Sequence, residues 1–169
     1  KIKPREYGDT FRFPERDVTD ERVFVAMRHV RGGTILIDNS GSMGLTHTDI
    51  INLIRWAPNA EIAQYEGRRE DGDLKIIAHH GRMAADADLM MHYGNNTIDG
   101  PALEWLVTRK RPYMWVSDGQ VHGASSKHGL FNTNEILKNH VALLTMRHHI
   151  RRPRTIDEAI NMIRFGGFR

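Results

Sequence analysis

Apolar and polar positions divide the chain into short strands and helices that take turns along it. Thr34–Ile37 is a continuous apolar run rich in β-branched residues, the pattern of a central parallel strand buried on both faces. A Gly/Ser turn follows at 39–44, and Ile50, Ile51, Ile54 and Ala57 then recur at helical spacing until Pro58. Residues 60–65 and 74–78 read as strands joined by a polar turn at 67–72. So short a link requires the two to run antiparallel. Met83, Ala87, Met90 and Met91 share one side of a helix-like stretch at 82–92. Asp99-Gly100-Pro101 opens a helix whose buried face is Ala102, Leu103, Leu106 and Val107. Tyr113–Val116 is a strand ending at Ser117-Asp118-Gly119. Beyond it, 119–131 is a Gly/Ser/His loop, 132–139 a short helix and Val141–Met146 another apolar strand. A basic loop, Arg147–Arg154, leads to Thr155-Ile156-Asp157-Glu158, which fits a capping box. Ile156, Ala159, Ile160 and Ile163 form the face of the last helix.

Ahead of these elements, residues 1–20 are polar, with Pro4, Gly8 and Pro14, and read as an extended arm. Val23, Ala26, Met27 and Val30 have helical spacing, while Val23-Phe24-Val25 suits a strand equally. Gly32-Gly33 breaks either one. The expected organisation is an N-terminal arm at 1–33 and an α/β domain at 34–169. That domain is expected to be doubly wound, with a mostly parallel central sheet, helices on both faces, and 74–78 as an antiparallel edge strand.

Composition narrows the classes. A chain of 169 residues is about one domain. Lys plus Arg (24) against Asp plus Glu (21) leaves +3, and 10 histidines add positive charge as the pH falls. The absence of cysteine excludes a disulfide scaffold, thiolate metal sites and Cys nucleophiles. A chain 40% hydrophobic and 27% charged is neither disordered nor collagenous. No apolar run reaches the ~18 residues of a membrane span. No apolar stretch follows the basic Lys1–Arg5 as a signal peptide requires, so a cytoplasmic location is expected. The chain does not open on Met, so a fragment, or processing or trimming at the N-terminus, is expected.

The chemistry is concentrated in Ile37-Asp38-Asn39-Ser40-Gly41-Ser42-Met43. Asp38, Ser40 and Ser42 stand at spacing two just past the carboxyl end of a buried strand, where open α/β sheets place their ligands. A carboxylate and two hydroxyls on a tight turn are hard oxygen donors, suited to Mg²⁺ or Mn²⁺. There is no Gly-x-Ser-x-Gly elbow, Walker loop or Gly-x-Gly-x-x-Gly. His79-His80 and His148-His149 do not form zinc pairs, because neighbours in an extended chain point to opposite faces. Metal-dependent hydrolysis would need a general base, for which only His122 or His148 offers itself. No catalytic residue is assigned.

Asp-x-Ser-x-Ser after a buried strand resembles the metal-ion-dependent adhesion site of von Willebrand factor type A domains. Gly94-Asn95-Asn96-Thr97, just before a helix, and Ser117-Asp118-Gly119, after strand 113–116, resemble that family's two later site elements, in the same order. The resemblance covers about residues 34–165. It implies that Ser40, Ser42 and Thr97 coordinate Mg²⁺ or Mn²⁺ through hydroxyls. Asp38 and Asp118 would act directly or through water. The implied function is protein–protein interaction without catalysis, the ion completing its shell with an acidic residue of a partner. Leu36–Met43 is most similar to prokaryotic members. Those include the domain of a cobalt-chelatase subunit that works with an AAA+ ATPase, and domains paired with MoxR-type ATPases. An ATPase-linked assembly is therefore the implied setting. The family usually has a sixth strand and a final helix, so either the sheet lacks its last strand, or the arm at 1–33 supplies something unusual, or a partner completes the sheet edge.

Topology also places charge. With strands 34–37, 60–65, 113–116 and 141–146 parallel, their carboxyl ends share the face of the metal turn. The loops there would carry Arg68 and Arg69, then His122, then Arg147, His148, His149, Arg151, Arg152 and Arg154. Such a basic rim suits an acidic partner. Two other settings use the same features: a scaffold role in a phage or particle, and nucleic-acid binding through 147–154. A net charge of only +3, and no aromatic residue among those basic ones, disfavour the second.

Overall fold

The computed structural model describes residues 32–66, 73–79, 81–84, 99–121, 133–166 and 168, together with three short strands nearer the N-terminus. The chain forms two compact units, Lys1–Val30 and Arg31–Arg169. In the first, β1 (Pro4–Arg5) and β2 (Thr10–Phe11) each pair antiparallel with β3 (Phe24–Val25), which lies between them. The expected extended arm thus contains strand pairs, and Phe24–Val25 takes the strand alternative.

The second unit is built on β4 (Thr34–Asp38), β5 (Glu61–Glu66), β6 (Asp73–His79), β7 (Arg82–Met83) and β8 (Tyr113–Val116), in the order β7-β6-β5-β4-β8. β4 runs parallel to β5 and β8, while β6 and β7 run antiparallel. The predicted edge strand is therefore one of two antiparallel strands, with β7 outside it. The predicted helix at 82–92 begins instead in β7. Its Ala87, Met90 and Met91 lie outside the described residues.

Alternation along the strands sorts the core into two layers. Ile35, Ile37, Met114 and Val116 meet α1 (His47–Trp56) and α4 (Ile156–Arg164) on one face. Leu36, Tyr65, Tyr113 and Trp115 meet α2 (Asp99–Val107) and α3 (Thr133–His148) on the other. β4 is buried along its whole length, which is why it reads as an unbroken apolar run. Thr46 caps α1 in a reciprocal box with Asp49. At α4 only half of the predicted box forms. Thr155 Oγ1 accepts from the Glu158 N–H (3.2 Å), whereas the Glu158 carboxylate turns back to the N–H of Arg154 (2.7 Å).

A further prediction is overturned. The expected short helix at 132–139 and strand at 141–146 are a single helix, α3. Leu137, Val141 and Leu144 pack on one side, while Leu143 and Met146 are exposed on the other. The run Val141-Ala142-Leu143-Leu144 looks like a buried strand, yet Ala, Leu and Met are good helix formers. The place beside β8 goes to the next segment. The Arg151 N–H donates to the Tyr113 carbonyl (3.0 Å), the Trp115 N–H to Arg151 (2.8 Å) and the Ser117 N–H to Pro153 (3.1 Å). Arg151 and Met114 are parallel partners. No helix among the described residues is long and apolar enough to cross a membrane.

Candidate cation site

Asp38 ends β4 and is only 1% exposed. Its Oδ1 accepts from the Ser40 N–H (2.9 Å), which folds the turn. Its Oδ2 accepts from the Ser117 hydroxyl (2.9 Å), which comes from the end of β8. Ser117 Oγ in turn accepts from the Gly119 N–H (3.1 Å). The hydroxyls of Ser40 and Ser42 are 3.1 Å apart. Ser42 belongs to a single 3-10 turn, Gly41–Met43, which Gly44 ends in the left-handed region at φ 56. Asp118 is half-buried, its Oδ1 accepting from the Gln120 N–H (2.9 Å). The Asp118 N–H points at Met43 Sδ, 3.2 Å away. The two turns are thereby joined by a carboxylate–hydroxyl bond and a backbone–sulfur contact.

A buried polar group lies next to this pair. The Tyr65 hydroxyl donates to Asp99 Oδ1 (2.5 Å) and accepts from Trp115 Nε1 (2.9 Å). Asp99 is fully buried at the start of α2, where the helix dipole favours a negative charge. Burial pushes the Tyr65 hydroxyl well above the usual tyrosine range, and the charges of Asp38 and Asp99 push it further. The phenol therefore remains a proton donor to the buried Asp99 carboxylate.

The structure brings Asp38, Ser40, Ser42 and Asp118 to one end of the sheet. Thr97, Arg68, Arg69 and His122 lie outside the described residues. Of the expected rim, Arg152 is beside the site. Its guanidinium lies over the Trp115 ring and against Gly119. Arg151 pairs with Met114 one residue earlier, on the opposite face by strand alternation. Arg147, His148 and His149 are not at the rim. Arg147 and His148 end α3 and His149 follows it, and the chain then joins β8 at its first residue, Tyr113, at the far end from Asp118. That displacement follows directly from 141–146 being helix and not strand. Sequence reasoning also missed Ser117, Tyr65 and Asp99 as parts of the constellation. Ser117 and Asp99 stood inside quoted motifs, but nothing local marked their partners.

Among the described residues no three His, Cys, Asp or Glu side chains gather as a metal cluster. The expected donor set needs only two carboxylates, the rest being hydroxyls. The donors on hand fit a hard cation: a buried carboxylate oriented through both oxygens, two adjacent hydroxyls and a half-buried second carboxylate. The chain matches no protein-family model, no curated protein and no solved structure.

Proposed function

We propose that this chain is a divalent-cation-dependent binding module of the von Willebrand factor type A kind, one that holds an acidic side chain of a partner protein. The observation that carries this reading is the joining of the Asp38 turn to the Ser117-Asp118 turn across adjacent parallel strands. Both turns follow carboxyl ends of strands in an open mixed sheet covered by helices on both faces, the position where such sheets bind ligands.

Asp38, Ser40, Ser42 and Asp118 would hold Mg²⁺ or Mn²⁺, with Thr97 as a further hydroxyl from the segment ahead of α2. When bound, the ion supplies a positive charge that few direct carboxylates neutralise, and so attracts a ligand carboxylate. The chain's own residues do the rest. Ser117 and the Ser40 N–H aim Asp38. The Asp99–Tyr65–Trp115 bonds tie the first turn of α2 to β5 and β8. The proposed setting is a cytoplasmic assembly with an AAA+ ATPase.

The test is a calorimetric titration with Mg²⁺ and with Mn²⁺, wild type beside Asp118→Ala. One saturable site in the wild type, lost in a variant that still melts normally in EDTA, is the expected result. No heat of binding in the wild type overturns the reading.

A further inference from the structure

Among the described residues three arginines lie over tryptophan rings, Arg164 over Trp56 at 4.9 Å from the centroid, Arg109 and Arg152, and the last two differ in one respect. Arg109 lies over Trp105, 5.2 Å from the ring centroid, and gives its fork to Glu61, Nε to Oε1 at 2.6 Å and Nη2 to Oε2 at 2.8 Å. Arg152 lies over Trp115, 5.9 Å from the centroid. Among the described residues no acceptor takes a hydrogen bond from its side chain and no carboxylate pairs with it.

The place of Arg152 is built by the Asp118 turn. Gly119 has φ 81, and a Cβ there would stand 2.9 Å from Arg152 Nη1 and 3.1 Å from Cζ. A side chain at 119 would therefore be strained itself and would push the guanidinium out. The ring contact fixes the guanidinium without using its N–H donors. An exposed arginine packed on a ring beside the Asp118 turn, with no carboxylate partner among the described residues, matches the Arg109 arrangement with the acid removed.

We propose that Arg152 is the ligand-selecting residue of the site: its fork takes a carboxylate of the partner, as Arg109 takes Glu61, and so distinguishes an acidic side chain from its amide. This rests on the cation-dependent reading above and adds a second anchor to it. Arg–carboxylate pairs of this kind are charge-assisted and bidentate, and a lysine ammonium cannot reproduce the fork.

The test uses acetyl-glutamate amide as probe and acetyl-glutamine amide as its neutral counterpart, in excess Mg²⁺, followed by NMR at the Arg152 Nε–Hε and Gly119 amide signals. The glutamate probe is expected to shift both signals and the glutamine probe neither. Arg152→Ala should weaken the glutamate probe about tenfold, a loss of about 1.4 kcal/mol, and Arg152→Lys should not restore it. Arg151→Ala, on the opposite face, should bind as wild type. Mg²⁺ affinity should not fall in Arg152→Ala, because removing a nearby positive charge favours a cation; a merely structural role would weaken ion and probe together. Equal binding of both probes, or unchanged binding by Arg152→Ala, overturns the assignment. Should the wild type take up no Mg²⁺ while the glutamate probe still shifts Arg152, the cation reading falls and Arg152 stands. Should Mg²⁺ bind while the probe leaves Arg152 unmoved, the outcome is reversed.

Discussion

The Ser117 hydroxyl donates to Asp38 Oδ2 at 2.9 Å, joining the ends of two adjacent parallel strands across 79 positions of sequence. The Ser40 N–H donates to Oδ1, so each oxygen of the buried carboxylate has a donor. The plane of Asp38 is thus set by its own turn and by the neighbouring strand. Ser117→Ala removes that donor and also the acceptor of the Gly119 N–H. It should cost about 1–2 kcal/mol of stability and weaken Mn²⁺ binding by roughly three- to tenfold, equal to about 0.7–1.4 kcal/mol. Thermal melts and calorimetry read the two effects separately. Wild-type affinity in this variant would mean that β8 does not orient Asp38.

Tyr65→Phe leaves Trp115 Nε1 without its acceptor and takes a donor from Asp99. The expected cost is about 1–3 kcal/mol, with a shift in tryptophan emission because the Trp115 indole loses its partner. The pH dependence has a definite sign. The folded Tyr65 holds its proton well above the usual range, whereas the unfolded chain releases it near pH ~10. Its contribution is complete below about pH 10 and is lost as the pH rises toward the folded value. Urea melts across that range should therefore fall less steeply for the variant than for the wild type.

Glu61 gives the opposite sign. The bond from Arg109 is the largest influence and holds its carboxyl below the usual range; burial opposes it, and Arg109 charge and His79 add to the lowering. His79 Nδ1 is 3.1 Å from Oε2, so Glu61 links the start of β5 both to β6 and to the turn that follows α2. The pair stabilises the fold above about pH 4.5, and that stability is lost as the pH falls through the lowered folded value. Glu61→Gln should flatten this acid limb. At neutral pH it should cost only about 1 kcal/mol, because Arg109 is partly exposed and screened. An unchanged acid limb in the variant would count against the pair.

Local patterns explain what could be read in advance. The run Thr34–Ile37 marked the central strand because a strand covered on both faces has no polar side. Asp38, Ser40 and Ser42 were legible because their spacing lies within one turn, and Asp118 because it follows a strand end. The bonds Tyr65–Asp99, Trp115–Tyr65 and Ser117–Asp38 span 34, 50 and 79 positions, and no local pattern records which residues meet at such separations. The misreading of 141–146 had a larger consequence than its length suggests. A strand there would deliver Arg147, His148 and His149 to the site, whereas a helix returning along the sheet delivers them to the other end. Arg152 remains beside the site because Ile150–Pro153 runs back along β8 in the parallel direction.

The entry to β4 supplies a last prediction, in which two glycines separate two physical causes. A Cβ on Gly33 would stand 2.5 Å from the Pro112 carbonyl oxygen, 2.8 Å from Phe168 Cζ and 2.9 Å from Pro112 Cδ. The Phe168 ring could move, but the carbonyl accepts from the Thr34 N–H at 2.9 Å, and Thr34 Oγ1 donates to the Lys110 carbonyl at 3.0 Å. Yielding would therefore disturb the start of the β4–β8 ladder, whose far end joins Asp38 to Ser117. Gly44 is the reverse case: its φ is 56, with nothing within 4 Å of a Cβ. Gly44→Ala should lose about 1–2 kcal/mol through left-handed strain alone. Gly33→Ala should lose about 2–3 kcal/mol through overpacking and should also weaken Mn²⁺ binding. Denaturant melts with parallel Mn²⁺ titrations separate the two. If Gly33→Ala proves the milder substitution, the contact with Pro112 does not constrain β4.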